Sequence, residues 1–226
     1  MPSSPYLTPG FYDEALAKGR HRDIVGGRWD ETARVQMAEL LAAGLQPHHH
    51  LLDIGCGSLR LGHKAVPYLD PGHYWGTDAS LALMQRGHDL ELADKSRLPL
   101  TQLVEDADFA LPGIPDHIDF AIAWGVFTHL PADRLRPALT SIRARLPPLT
   151  ALLLTVFLAP EGHQGPHRQP DGVVTHPDRP PYHRTAVAVE ADARAAGFAA
   201  HWRDARLPRG QRLLHLTRGP QTLTSP

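Results

Sequence analysis

The stretch Leu51-Leu52-Asp53-Ile54-Gly55-Cys56-Gly57-Ser58-Leu59-Arg60-Leu61-Gly62 reads as a strand, a tight turn and the start of a helix. An apolar run ends in an acid, glycines follow at alternate positions, and helix-competent residues follow those. Glycines let the backbone turn sharply and approach a ligand closely. The open N–H groups of a first helical turn attract an anionic group. Such a loop at the edge of a parallel sheet suits a nucleotide cofactor. Spacing separates two versions of it. A dinucleotide-binding loop reads G-x-G-x-x-G, which would place a third glycine where Arg60 stands. The arrangement here is acid-x-Gly-x-Gly, with Asp53 closing the strand. A turn that binds nothing is the competing reading.

The segment resembles motif I of the class I S-adenosylmethionine (SAM) dependent methyltransferases. In that family the loop packs against the methionyl part of SAM and the acid helps fix its amino group. A third glycine is common two residues after the second; Leu59 stands there. Further along, Leu61, Ala65, Val66 and Leu69 have helical spacing, and Asp70-Pro71-Gly72 ends that helix. His73 to Asp78 reads as a short aromatic strand. A carboxylate at the end of such a second strand sits beside a cofactor ribose; Asp78 could equally cap the next helix. The third strand is expected over Leu100–Val104. Glu105-Asp106-Ala107 resembles the family's Gly-Asp-Ala, whose Asp contacts the adenine amino group, and Phe109 could line the same pocket. The fourth strand is expected within the apolar run Asp119–Leu130, with Pro131 opening a helix, and the fifth over Leu149–Leu158.

This alternation implies a parallel sheet with helices on both faces. The ending differs. Thr185–Ala196 reads as a helix stopped by Gly197. Phe198–Leu207 and Arg212–Thr217 read as strands joined by Pro208-Arg209-Gly210-Gln211, hence an antiparallel pair. The expected fold is α/β: a doubly wound, seven-stranded, mostly parallel Rossmann-like methyltransferase sheet closed by a C-terminal antiparallel hairpin. At 226 residues the whole chain, 1–226, is read as one domain. The resemblance covers about Gly26 to Thr217.

Composition narrows the classes. Net charge is −1, without the basic footprint of a nucleic-acid enzyme. The charge is uneven: residues 1–129 carry 10 basic and 17 acidic groups, the remainder 13 and 7. Arginines outnumber lysines 20 to 3, which points to a GC-rich genome more than to a function. The one cysteine, Cys56, excludes an internal disulfide and fits a reducing, cytoplasmic setting. No stretch reads as a membrane span or a signal peptide. The expected partner is a small-molecule substrate, with no nucleic acid and no membrane; a homodimer is left open.

Methyl transfer to a hydroxyl or a protonated nitrogen needs a proton acceptor, and histidine suits neutral pH. Of fifteen histidines, His129 lies just past the fourth strand, on the carboxyl edge where ligands bind; it could instead pack under its loop. The Pro-, Gly- and His-rich segment 160–184 is long for an unstructured loop, and the resemblance makes it a substrate-side loop. Tyr182 and His183, stiffened by Asp178-Arg179-Pro180-Pro181, are its candidates. His163 and His167 lack a helix and an acid cluster, so no metal is expected. His48-His49-His50 reads as a solvated turn on the opposite edge. A Pro-Arg-Gly-Gln turn like 208–211 is found in a small-molecule subgroup of the family. The resemblance also implies that residues 1–30 fold over SAM as a lid. In it Arg28 or Trp29 would reach the site, with Tyr6, Phe11 and Tyr12 covering it, or the aromatics would only clasp the core. The implied cofactor set is Arg28, Asp53, Gly55, Cys56, Gly57, Asp78, Ala79, Asp106, Ala107 and Trp124, with SAM as cofactor; the implied catalytic set is His129, Tyr182 and His183. Transfer to oxygen or nitrogen of a small molecule in specialised metabolism is the function expected. A SAM-binding protein without methyl transfer and a nucleotide-dependent oxidoreductase are the alternatives.

Overall fold

The computed structural model describes residues 10–219, apart from Val25 and Arg206. Two short helices, α1 (Asp13–Ala17) and α2 (His21–Ile24), precede the longer α3 (Trp29–Ala42). The buried residues of α3, Trp29, Thr32, Ala33, Gln36 and Leu40, form one stripe at helical spacing. Strand β1 (Leu51–Ile54) follows, then α4 (Gly62–Tyr68), β2 (Tyr74–Asp78) and α5 (Leu81–Glu91). The Ser80 hydroxyl caps α5 by accepting from Leu83 N–H, so the cap is Ser80 and not Asp78.

Strand β3 spans only Leu103–Glu105. Residues Leu100–Gln102, expected as strand, form a 3-10 turn, because the Gln102 amide donates back to Gly72 O and holds the backbone in a bend. Strand β4 (Phe120–Ala123) is likewise shorter than its apolar run. The chain turns away at Gly125, whose φ is +77°, and the residues after it are buried as loop. Helix α6 (Leu135–Arg145) and strand β5 (Ala151–Leu158) follow.

The segment 160–184 is not a bare loop. It holds a small antiparallel pair, β6 (His167–Arg168) with β7 (Val174–Thr175), and then β8 (His183–Arg184), which runs parallel to the end of β5. Helix α7 (Ala186–Ala195), capped by Thr185, ends at Gly197 with φ +83°. Strands β9 (Phe198–Arg203) and β10 (Arg212–Arg218) close the chain as an antiparallel pair. Their connection runs from 204 to 211, longer than the four-residue turn expected.

The strand order is β3-β2-β1-β4-β5-β10-β9. The first five strands are mutually parallel, and β10 is antiparallel to β5. The expected seven strands are therefore present, and β8 makes an eighth beside β5. Alternation along the strands feeds two cores. Leu52, Ile54, Ala121, Ala123, Leu152 and Leu154 pack with α6 and α7. Leu51, Phe120, Ile122 and Leu153 pack on the other face with Leu40 of α3, Ala65 and Val66 of α4 and Met84 of α5. Asp53 lies in the second row, a charge at a core position. Strand order reverses between β1 and β4, and a crevice outside their carboxyl ends is where ligands bind in such sheets. No helix of the described residues is long and apolar enough to cross a membrane.

Candidate functional site

A cavity opens at that switch point. The end of β1 and the loop after it supply Asp53, Gly55, Cys56, Gly57 and Arg60; the end of β2 and the loops after β2 and β3 supply Asp78, Ala79, Asp106, Ala107 and Phe109; the loop after β4 supplies Trp124, Val126 and His129. Tyr12, Ile24 and Gly26, then Thr32 and Gln36 of α3, and finally Pro208, Arg209 and Gln211 complete the wall.

The glycine loop is shaped by close approach. At Gly55, with φ +70°, a Cβ would lie 2.4 Å from Val126 Cγ2, so the loops after β1 and β4 meet there without room for a methyl. Leu59, where the resemblance expects a glycine, holds the left-handed conformation anyway, with φ 63°, and is fully buried. Packing of the leucine side chain outweighs a backbone cost on the order of 1–2 kcal/mol.

The two strand-end acids differ in what holds them. Asp53 Oδ2 accepts from the Tyr74 hydroxyl at 2.7 Å in full burial. Burial pushes Asp53 up to about 7, against the Tyr74 hydrogen bond and the Arg60 charge. Asp78 Oδ2 accepts from Gly57 N–H at 3.0 Å and Oδ1 from Ser80 N–H at 3.1 Å. It thus ties the glycine loop to the second strand. Burial raises it to about 6, and those backbone donors oppose the rise. Cys56 is a buried filler whose thiol burial pushes well above its ordinary range. Asp106 Oδ1 accepts from Asp108 and Ala110 N–H and Oδ2 from Leu111 N–H, so its carboxylate organises its own loop. Phe109 stacks on Phe127, centroids 5.4 Å apart and planes 8° from parallel.

His129 is set by the turn after β4. Gly125 N–H donates to Thr155 Oγ1, Thr128 Oγ1 donates to Gly125 O, and His129 N–H closes a turn on Val126 O. Burial, and then the Arg209 charge, lower His129 to about 4, so its ring is neutral at pH 7. Arg209 itself has φ 66°, a left-handed backbone held by its N–H on Asp171 Oδ2 and its guanidinium on Gly26 O.

Ten of the thirteen expected site residues line this cavity: Asp53, Gly55, Cys56, Gly57, Asp78, Ala79, Asp106, Ala107, Trp124 and His129. Arg28, Tyr182 and His183 do not. Arg28 has φ 49°, caps the start of α3 and faces Glu31 at 3.7 Å. Trp29 also points elsewhere, stacking on His63 with centroids 5.5 Å apart. Tyr182 and His183 lie behind the His129 loop. Tyr182 N–H donates to Thr128 O, and His183 Nδ1 pairs with Thr175 Oγ1 at 2.9 Å. The neighbouring Arg184, which the sequence reading missed, is buried and donates to the carbonyls of Leu130, Pro131 and Ala132. Of the covering aromatics, Tyr12 lines the cavity, Phe11 does not, and Tyr6 lies outside the described residues. Of the histidines 48–50, His48 is exposed as expected, whereas His49 and His50 are half-buried, His50 stacking on His73 with centroids 4.0 Å apart.

The wall also holds groups that sequence reading passed over: Thr32, Gln36, Arg60 and Gln211. Gln36 and Gln211 are 3 % and 8 % exposed, and the Oε1 of each is buried without a hydrogen-bond partner. Polar residues in the buried stripe of α3 were the available signal. The donor-rich groups of SAM (an ammonium, ribose hydroxyls and the adenine amine) fit a wall built from these carbonyls and from Asp53, Asp78 and Asp106.

Residues 52–150 match a family model described as a methyltransferase domain. Magnesium protoporphyrin IX methyltransferase from Synechocystis PCC 6803 with bound SAH superposes with TM-score 0.61 at 18% identity, covering 92% of this chain and 96% of that one. A SAM-bound amino pentose methyltransferase from Micromonospora echinaspora, involved in calicheamicin biosynthesis, gives TM-score 0.60 at 20% identity over 91% and 96%. Human N-acetylserotonin methyltransferase gives 0.63 at 15% over 94% and 61%.

Proposed function

We infer that this chain, whose residues 52–150 match a methyltransferase domain, is a SAM-dependent class I enzyme that methylates oxygen or nitrogen of a small molecule in specialised-metabolite biosynthesis. The observation that carries this is the meeting of the glycine loop, Asp53, Asp78 and His129 in one cavity at the switch point. Structural similarity to the amino pentose enzyme supports the biosynthetic setting. The near-neutral charge and the single, buried Cys56 support a small-molecule acceptor and a cytoplasmic setting. We read 1–226 as one unit, with 1–30 as a lid, an assignment that Tyr12, Ile24 and Gly26 in the wall support. Segment 160–184 buttresses the acceptor side, since Asp171 holds the Arg209 turn.

SAM supplies a methyl group on a sulfonium, already activated for transfer. What remains for the chain is alignment within about 3 Å, exclusion of water and a proton acceptor. Asp53 would hold the amino group of the cofactor tail. Asp78, its oxygens already oriented by Gly57 and Ser80, would accept from the ribose hydroxyls. Asp106 and Ala107 would hold the adenine end. His129, neutral across the physiological range, takes the acceptor's proton. So weak a base accepts it only as the attacking atom becomes acidic on forming its bond to carbon, which couples proton removal to transfer.

Calorimetry with SAM, SAH and NAD, using Asp78→Ala as control, tests the cofactor. Micromolar binding of SAM and SAH, lost in the variant, is expected; binding of NAD alone, or of nothing, refutes the reading. Acceptors are then screened with labelled SAM. His129→Gln should leave SAH affinity within about twofold and lower kcat by roughly 10²-fold or more. Unchanged kcat would remove His129 from the chemistry. Binding without turnover on any acceptor would favour a SAM-binding protein that does not transfer methyl.

A further inference from the structure

Tyr74 stands at the start of β2 beside Leu51 of β1, in register to reach Asp53 two residues along the same face. It is 1 % exposed, among the largest fully buried side chains. It is absent from the cavity wall. Its hydroxyl nonetheless ends on Asp53, a wall residue, at 2.7 Å. Space for the hydroxyl is tight: a Cβ on Gly62 would come within 3.2 Å of it. A tyrosine whose only described polar contact is the strand-end acid is placed for that acid.

Asp53 needs such help. It is 3 % exposed, and a carboxylate so placed loses most of its hydration. The titratable and charged groups facing it are Tyr74 and Asp78 from β2, and Cys56 and Arg60 from the loop. Burial and Asp78 favour its neutral form; the Tyr74 hydroxyl and Arg60 favour the carboxylate. Tyr74 stays a donor, because burial and the charge of Asp53 hold its own proton on.

We propose that Tyr74 is a positioning residue for cofactor capture: its hydroxyl engages Oδ2 and holds Asp53 as a carboxylate, leaving Oδ1 to receive the ammonium of the SAM tail, so that capture is gated by the ionisation of Asp53. The inference rests on the reading of the cavity as a SAM site. Gating follows from charge balance. An ammonium entering beside a neutral carboxylic acid gains little, whereas entry beside the carboxylate forms a buried, charge-assisted pair. Binding below the ionisation midpoint therefore releases a proton. Because burial brings Asp53 to about 7, the midpoint falls within the working range of the protein.

The test is Tyr74→Phe in the full chain, with SAH and 5′-methylthioadenosine titrated calorimetrically from pH 5.5 to 8.5. The second ligand lacks the amino-acid tail. In the wild type, SAH affinity should rise toward tenfold per pH unit below the midpoint and level off above it. In Tyr74→Phe the midpoint should move up by about one unit, lowering SAH affinity severalfold at pH 7 and recovering it near pH 8.5. Affinity for 5′-methylthioadenosine should level off above about pH 6, where Asp78 is ionised, and be equal in both proteins at every pH, which also shows that the variant is folded. A flat wild-type SAH profile, or one unmoved in the variant while 5′-methylthioadenosine binds, overturns the role of Tyr74 and leaves the SAM site standing. Loss of 5′-methylthioadenosine binding in the variant reduces Tyr74 to a structural residue and also overturns the role. Failure of the wild type to bind either ligand removes the SAM reading, and this inference with it.

Discussion

Gly87→Ala isolates the contact that sets the glycine loop. Gly87 is a buried residue of α5, and a Cβ there would lie 2.3 Å from Ser58 O, 2.4 Å from Ser58 C and 2.8 Å from Ser58 Cα. These are backbone atoms, so no rotamer change relieves the overlap. Two effects oppose each other. Helix propensity alone favours alanine by about 1 kcal/mol. Overpacking costs typically 1–3 kcal/mol and occasionally more, and an overlap of about 1 Å against backbone belongs at the upper end. A net loss of about 2 kcal/mol is expected, seen as a lower denaturation midpoint in urea at unchanged slope. Relief requires Ser58 to move. Ser58 is fully buried and donates to His21 O, and it follows Gly57, whose N–H is held by Asp78. SAH affinity should therefore fall by about tenfold or more, as one disturbed charge-assisted hydrogen bond implies. A variant as stable as the wild type, or more stable, that binds SAH equally well would show that α5 does not position this loop.

Asp53→Asn separates stability from binding. The folded-state value of Asp53, about 7, lies above its ordinary 3.8, so its contribution is intact at low pH and is lost as pH rises through 7. The variant should match the wild type near pH 4, exceed it at pH 8 and bind SAH poorly at both, as denaturation and calorimetry will show. His50→Gln should flatten the acid side of the stability curve. His50 is held below its ordinary 6.5 by burial and by His73 and His117, against Asp119, so its contribution is present above 6.5 and is lost as pH falls below that. Equal loss of stability in both proteins between pH 7 and 5 would exclude this stack as an acid-sensitive point.

What could be read from the sequence was local. Asp53, Gly55 and Gly57 are neighbours in one strand-turn-helix, and Asp78 closes the next strand, so pattern alone brought them together. The run Asp119–Leu130 does not reveal where β4 ends, for a physical reason. Trp124 to Leu130 is as apolar as the strand before it, and composition does not distinguish a buried strand from a buried loop. Arg28 and Trp29 lie near the cavity in sequence, but the left-handed backbone at Arg28 turns its side chain to Glu31 and Trp29 onto His63. Tyr182 and His183 read as loop because two-residue strands leave no periodic trace; pairing of β8 with β5 then buries them. Gln36, Arg209 and Gln211 come from a helix and a turn far apart in the chain, and only tertiary packing makes them neighbours.

The contact between the Arg209 guanidinium and Gly26 O spans 183 positions. Synthesis proceeds from the N-terminus, and chains fold in that direction as they emerge. The glycine loop, Asp78 and His129 are all exposed to the cell before residues 208–211 have been made. Until then the cavity lacks the side built from Pro208, Arg209 and Gln211. The turn 208–211 thus closes the wall against a segment that leaves the ribosome long before it, and a chain stalled before residue 208 carries the binding loop without an enclosed site.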